Sequence, residues 1–74
     1  MAVHMLDVRG LKCPLPILRA KKALAELSGG EELEVLATDA GAPDDFAAFC
    51  RQTGHALLLS EEEDGVFRML LRHK

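Results

Sequence analysis

Apolar positions along this chain switch between two spacings, and each switch marks a new element. From Met5 to Arg9, Leu6 and Val8 fall on one side and Asp7 and Arg9 on the other, the two-residue period of a strand. From Pro14 to Leu27 the apolar residues Ile17, Ala20, Leu24 and Leu27 recur at intervals of three and four, while Arg19, Lys22 and Glu26 fall largely elsewhere, which predicts an amphipathic helix. Two prolines in its first turn and Ser28-Gly29-Gly30 at its end punctuate it. Glu32 to Thr38 alternates again, Leu33, Val35 and Ala37 against Glu32, Glu34 and Leu36. A second helix starts with Pro43 suited to its N1 position, carries Asp44 and Asp45 in its first turn where the helix dipole favours acids, gathers Phe46, Phe49 and Cys50 on one face, and stops at Gly54. His55 to Glu61 and Val66 to Arg72 are two further strands, joined by an acidic turn that ends in Asp64-Gly65, a strong hairpin signal.

The order is therefore βαβαββ. A helix between the first two strands makes them parallel, and the final hairpin adds an antiparallel pair. Two helices against four strands predict an α/β (α+β) two-layer sandwich, a four-stranded mixed sheet with both helices on one face. Leu33, Val35, Phe67, Met69 and Leu71 then face the helices, and Leu36, Val66 and Leu70 point the other way beside Glu34, Arg68 and Arg72. That open face reads first as ordinary solvated surface, with a partner or dimer surface as the alternative. No repeat, linker or low-complexity tract interrupts the pattern, so residues 1–74 are expected to form one domain.

Composition narrows the function. With 74 residues only about 60% of the unfolded surface can be buried. Such a core cannot enclose a deep, many-residue active site, so the chemistry is expected near the surface on few groups. Nine basic against twelve acidic side chains give a net charge of −3, and the aromatic residues are three Phe, which argues against direct nucleic-acid binding. No apolar run approaches the roughly 20 residues of a membrane span. The stretch from Met1 to Leu6 lacks the basic and apolar regions of a signal peptide, and Met1 and Met5 are both candidate native starts. A cytoplasmic location is expected, where Cys13 and Cys50 stay reduced thiols.

The stretch with the most chemistry is Gly10-Leu11-Lys12-Cys13-Pro14-Leu15-Pro16. Cys13 stands where a loop becomes a helix, before a proline that holds it extended, and is read as the helix N-cap. Unpaired N–H groups and the positive dipole end there favour thiolate, and Arg9, Lys12 and Arg19 add positive potential. Gly10 lets the incoming backbone turn sharply, and Pro14 and Pro16 stiffen the first turn. By spacing alone, an incidental small residue at an ordinary proline-marked helix start is an equally good reading.

The whole chain resembles the TusA/SirA family of small sulfur-carrier proteins. Leu6-Asp7 through Gly10 to Cys13-Pro14-Leu15-Pro16 is similar to the family's D-x-x-G-x-x-C-P-x-P pattern, and Glu32 through Asp39, continuing to Phe49-Cys50 and Thr53-Gly54-His55, matches a second family block. The resemblance implies a βαβαββ two-layer sandwich like the C-terminal domain of a translation initiation factor. It also implies that Cys13 accepts sulfane sulfur as a persulfide and hands it on, a sulfurtransferase-type carrier rather than a stand-alone enzyme. The implied partners are a sulfur donor protein, a cysteine desulfurase or rhodanese-like enzyme, and a sulfur acceptor protein. Family roles include tRNA thiolation, molybdenum cofactor synthesis and sulfur oxidation. Members that thiolate tRNA carry Glu between the two prolines; Leu15 stands there in this chain, a more apolar rim that could select a different partner.

Cys50, sharing a helix face with Phe46 and Phe49, reads as buried and structural, with a resolving thiol for Cys13 as the alternative. His4, His55 and His73 show no metal-ligand spacing, so neither a metal nor a cofactor is expected. Asp7 and Asp39 are expected near the C-terminal ends of the parallel strands, Asp7 in a positional or hydrogen-bonding role because a carboxylate beside Cys13 would raise its pKa. Glu61 to Asp64 reads as a solvated hairpin tip. Arg9, Lys12, Arg19, Lys21 and Lys22 form a basic cluster, a solvated helix face or a surface that steers an acidic partner toward Cys13. A monomer is expected, with a weak dimer as the alternative. A regulatory adaptor and a thiol redox protein using Cys13 with Cys50 are the competing functions; the lack of C-x-x-C disfavours the second.

Overall fold

The structure is a computed structural model that describes residues 3–74; Met1, one of the two candidate starts, lies outside the described residues. Its elements follow the order β1 (Val3–Val8), α1 (Leu15–Ala25), β2 (Glu32–Ala37), α2 (Ala42–Thr53), β3 (Ala56–Glu63) and β4 (Val66–Arg72). The sheet runs β1-β2-β4-β3. β1 pairs parallel with β2, Val3 opposite Glu32 through Val8 opposite Ala37, and β4 pairs antiparallel with both β2 and β3. The mixed four-stranded sheet and the two-layer arrangement predicted from the periodicity are those of the structure.

Element ends differ from the expectation for local reasons. β1 starts two residues before Met5 because it continues to pair in register with β2, and it ends at Val8 because Gly10 turns the chain at φ +82°. α1 stops at Ala25: the N–H of Leu27 donates to the Leu24 carbonyl at 3.0 Å, a tightened last turn that leaves Leu27 against the core although it is outside the helix. α2 begins at Ala42, so Pro43 is its second residue, with Gly41 as N-cap. Gly54, at φ +89°, ends it in the left-handed conformation, its N–H donating to the Cys50 carbonyl at 2.9 Å. β3 runs two residues past Glu61, so Glu61 to Glu63 are strand rather than hairpin tip. The turn itself is Asp64-Gly65, with φ +53° and +83°, the two positive values of a tight hairpin turn. A bulge at Leu58 shifts the register, so that Leu57 pairs with Leu71 and packs on the core while Leu59 pairs with Leu70.

The core lies between sheet and helices. Val8, Leu33, Val35, Ala37, Met69 and Leu71 come from the sheet; Ala20, Leu24, Ala42, Phe46, Phe49 and Cys50 come from the helices. Phe46 is fully buried and meets Phe49 edge to face at 6.4 Å. Phe67, expected in the core, is half-buried at its margin. On the opposite face Arg68 donates to Glu34 at 2.8 Å and to Glu61, and Arg72 donates to Glu32 at 3.1 Å. These ion pairs flank the half-buried Leu36 and Leu70, so much of the open face is a charged ladder.

Candidate functional site

Because β1 and β2 are parallel, both strands deliver the chain to the same end of the sheet, and the helices that follow them start there side by side. The loop between β1 and α1 is tied down at that end. The Gly10 N–H donates to the Thr38 hydroxyl at 2.9 Å, fastening it to the residue after β2, and the Leu11 N–H donates to the Val8 carbonyl at 3.2 Å. The Leu15 N–H then donates to the Lys12 carbonyl at 2.9 Å, and α1 begins. Pro16 is buried under this first turn, whereas Lys12, Cys13, Pro14, Leu15 and Arg19 are exposed.

Two expectations about Cys13 are corrected. The N-cap is Pro14, at φ −96° and ψ 12°, with no side-chain cap hydrogen bond, so Cys13 stands one residue before the cap. Pro16 has no N–H, and that of Leu15 is taken by Lys12, so the first turn offers a thiolate fewer donors than a helix start ordinarily does. The second correction concerns charge. The Cys13 pKa is raised, not lowered: first by the neighbouring Asp45 carboxylate, which favours the protonated thiol, then by desolvation, with the negative charge of Asp39 adding to that of Asp45. Charge on two neighbouring carboxylates disfavours a third anion.

Arg9 does not oppose this. Its guanidinium and its backbone N–H are all directed at Asp7, so the cation closest in sequence to the loop's entry is already paired. Asp7 therefore has the hydrogen-bonding role expected of it. Lys21 lines a hollow together with Cys13 and Asp45, and Lys12 is exposed beside Cys13 in the chain, so Asp45 of α2 joins the expected basic neighbours rather than replacing them. Asp45 was legible only as a helix-start acid; the signal that places it beside Cys13 is topological, two helix starts sharing one end of a parallel strand pair.

Between the helices a shallow hollow of about 210 Å³ holds Cys13 at its rim. Ile17 and Lys21 of α1 line it opposite Asp45, Ala48 and Phe49 of α2. Lys21 and Phe49 also line a second hollow of about 250 Å³ that reaches His55, His73 and Lys74. There the His55 ring lies 5.8 Å from Phe49 and 4.7 Å from His73, and its Nδ1 accepts the Lys74 N–H at 3.1 Å. Burial, followed by the charges of His73 and Lys74, lowers the His55 pKa. Leu15 and Leu18, 43% and 50% exposed, give the Cys13 end of α1 an apolar edge. Cys50 is buried, its pKa raised by desolvation, and both cysteines are free thiols. Among the described residues no group of three or more His, Cys, Asp or Glu gathers to hold a metal, and no helix is long and apolar enough to cross a membrane.

The family model described as Sulfurtransferase TusA matches residues 4–73. The chain belongs to the TusA family. A Neisseria meningitidis protein assigned by name to the sulfur carriers is 70% identical over 74 residues, all of both chains. The sulfur carrier protein TusA of Allochromatium vinosum is 55% identical over 67 residues, 90% of this chain and 88% of that one. The crystal structure of a SirA-like protein from Desulfitobacterium hafniense superimposes with a TM-score of 0.83 at 30% identity, covering 96% of each chain. TusA membership and the SirA-like fold agree with the family resemblance read from the C-P-x-P segment, and a sulfur carrier needs in general a donor and an acceptor.

Proposed function

We propose that Cys13 is the sulfur-carrying residue: it accepts sulfane sulfur as a persulfide from a donor protein and passes it to an acceptor protein. The observation that supports this reading is an exposed thiol on a loop pinned at both ends, by Gly10 to Thr38 and by Leu15 to Lys12, in a chain whose other cysteine is buried. In loading, the Cys13 thiolate attacks the outer sulfur of the donor's persulfide. A sulfur–sulfur bond forms at Cys13 Sγ, the donor's own sulfur–sulfur bond breaks, and the electron pair leaves on the donor cysteine. Delivery repeats the exchange with Cys13 as the leaving group.

A raised thiol pKa leaves little thiolate at neutral pH and makes Cys13 the slower leaving group, so both loading and delivery call for a partner that favours the thiolate. Gly10, Pro14 and Pro16 shape and stiffen the loop, while Lys12 and Arg19 are exposed where a partner can meet them. Donors of the cysteine desulfurase or rhodanese-like type fit the chemistry. Leu15, with Leu18 beside it, favours an acceptor with an apolar contact over one that expects a glutamate there.

Incubation of the reduced protein with a cysteine desulfurase and cysteine, followed by intact-mass measurement, tests the proposal. Gain of one sulfur atom is expected, lost in Cys13→Ser and retained in Cys50→Ser. No gain from either donor type would favour a regulatory adaptor, and an internal disulfide would favour redox work.

A further inference from the structure

The two edges of the sheet are finished differently. β3 forms one edge and β1 the other. Along β3 a bulge at Leu58 breaks the register, and Glu61, Glu62 and Glu63 line the end of the strand with charge; both features keep a second strand from pairing there. β1 has neither. It matches β2 residue for residue from Val3 to Val8, carries no lysine or proline, and its one acid, Asp7, is already bound to Arg9. Its outer side therefore presents a regular row of backbone N–H and C=O groups, and among the described residues no strand lies beside it. Val3 and Met5, opposite Glu32 and Glu34 in the pairing, point to the open face at this margin and are 54% and 61% exposed. The Glu–Arg ladder begins just inside them, so their neighbours on that face within the chain are charged rather than apolar.

We propose that the β1 edge pairs antiparallel with β1 of a second copy of this chain, joining two four-stranded sheets into one continuous sheet about a two-fold axis at Met5. A two-fold at that position sets Met5 opposite Met5, His4 opposite Leu6 and Val3 opposite Asp7, and gathers Val3 and Met5 of both copies into one apolar strip. Charge on α1 identifies the occupant as a second copy. α1 packs over β1 and β2, and Ile17 and Lys21 face α2. Helical spacing therefore turns Arg19, Ala23 and Glu26 to the opposite flank, above the β1 edge, with Lys22 further round toward solvent. The same axis runs the two α1 helices antiparallel, so Arg19 of each copy meets Glu26 of the other, with the small Ala23 at the crossing. Arg19 and Glu26 are exposed, and neither is in an ion pair among the described residues. One strand pair and one helix flank make a small interface, on the scale of weak and reversible complexes. The Cys13 loops, which follow the C-terminal ends of the two β1 strands, lie at opposite ends of the joined sheet, so pairing leaves both thiols free.

Analytical ultracentrifugation of the reduced full chain, from about 10 µM to about 1 mM, tests the proposal at the affinity expected of so small an interface. The weight-average mass should rise with concentration from that of one chain toward that of two. Met5→Lys places a charge on the exposed edge and should weaken association at least about tenfold. Leu58→Lys places the same charge on the other edge of the sheet and should leave association unchanged. Arg19→Glu and Glu26→Arg should each weaken it roughly threefold to tenfold at low salt, and the double reversal should restore it, because each copy then offers the complementary pair again. A mass that stays at one chain up to about 1 mM overturns pairing with a second copy and leaves the edge to a strand from another protein. Association untouched by Met5→Lys, or weakened equally by Leu58→Lys, overturns the β1 edge as its site. A double reversal no tighter than the single ones overturns the antiparallel seam. Circular dichroism of each variant separates these results from loss of fold. No sulfur transfer enters the measurement, so its outcome is independent of the carrier reading.

Discussion

The guanidinium of Arg9 forks onto the carboxylate of Asp7 two residues earlier, donating at 2.9 and 2.8 Å, while the Arg9 backbone N–H donates to the same carboxylate at 3.0 Å. The three bonds hold the Asp7 pKa down at about 2, against an ordinary 3.8. A depressed carboxylate pKa stabilises the fold above the unfolded value, and that contribution disappears as pH falls from about 4 toward about 2. Glu31 is shifted in the same direction by the Ser28 N–H and by His4, so the difference between variants carries the information. In Arg9→Ala the backbone N–H of residue 9 still donates, so the Asp7 carboxyl resonance is expected to titrate higher than in the native chain but below its ordinary value, and denaturation midpoints should lose part of the Asp7 share of their pH dependence. An Asp7 midpoint that stays near 2 in the variant would show that Arg9 is not its cause.

Asp45 acts on Cys13 in the opposite sense. Removing its charge while keeping its shape takes away the largest influence on the raised thiol pKa, a neighbouring carboxylate that favours the protonated thiol. Asp45→Asn is therefore expected to move the pH profile of Cys13 alkylation by iodoacetamide toward lower pH. A shift toward higher pH, or none, would mean that burial rather than the carboxylate sets the thiol's acidity.

Gly10 carries the turn that brings the chain from β1 to the Cys13 loop. Its φ of +82° is a conformation that side chains rarely adopt, yet a Cβ placed there meets nothing within 4 Å. The cost of Gly10→Ala is thus backbone strain alone, about 1 to 2 kcal/mol, without a clash. Equilibrium denaturation should show that loss. A cost near zero would indicate that the loop relaxes to negative φ, and the bond from Gly10 N–H to Thr38 would then break, which amide exchange detects.

Much of this arrangement is legible in the sequence alone. Alternation in Glu32 to Thr38 and the threes and fours from Ile17 to Leu27 identified their elements because each must bury one face on a small sheet, and Asp64-Gly65 marked the hairpin because its turn needs positive φ. Boundaries were less legible where tertiary pairing decided them, as at Val3, kept in β1 by its register with Glu32. Cys13 stood out through its prolines, but its electrostatics did not. Sequence proximity pointed to Arg9 and Lys12, whereas the fold pairs Arg9 with Asp7 and brings Asp45 from more than thirty residues away. Charge at a surface site depends on which helix starts become neighbours, and no local pattern encodes that.

Cys50 provides the complementary case, a thiol whose placement removes it from exchange chemistry. It lies on the inward face of α2 with 5% exposure, between Phe46 and the end of the helix, and burial raises its pKa. A buried thiol held protonated is a poor nucleophile and behaves as a small apolar side chain. Cys50→Ala should therefore cost stability through the lost sulfur contacts and the small cavity, about 1 kcal/mol, read from the denaturant midpoint. Sulfur loading at Cys13, measured by intact mass, should be retained in the folded variant. Loss of loading with the fold intact would instead make Cys50 a partner in the transfer, and would require α2 to open far enough for its inner face to reach the Cys13 loop.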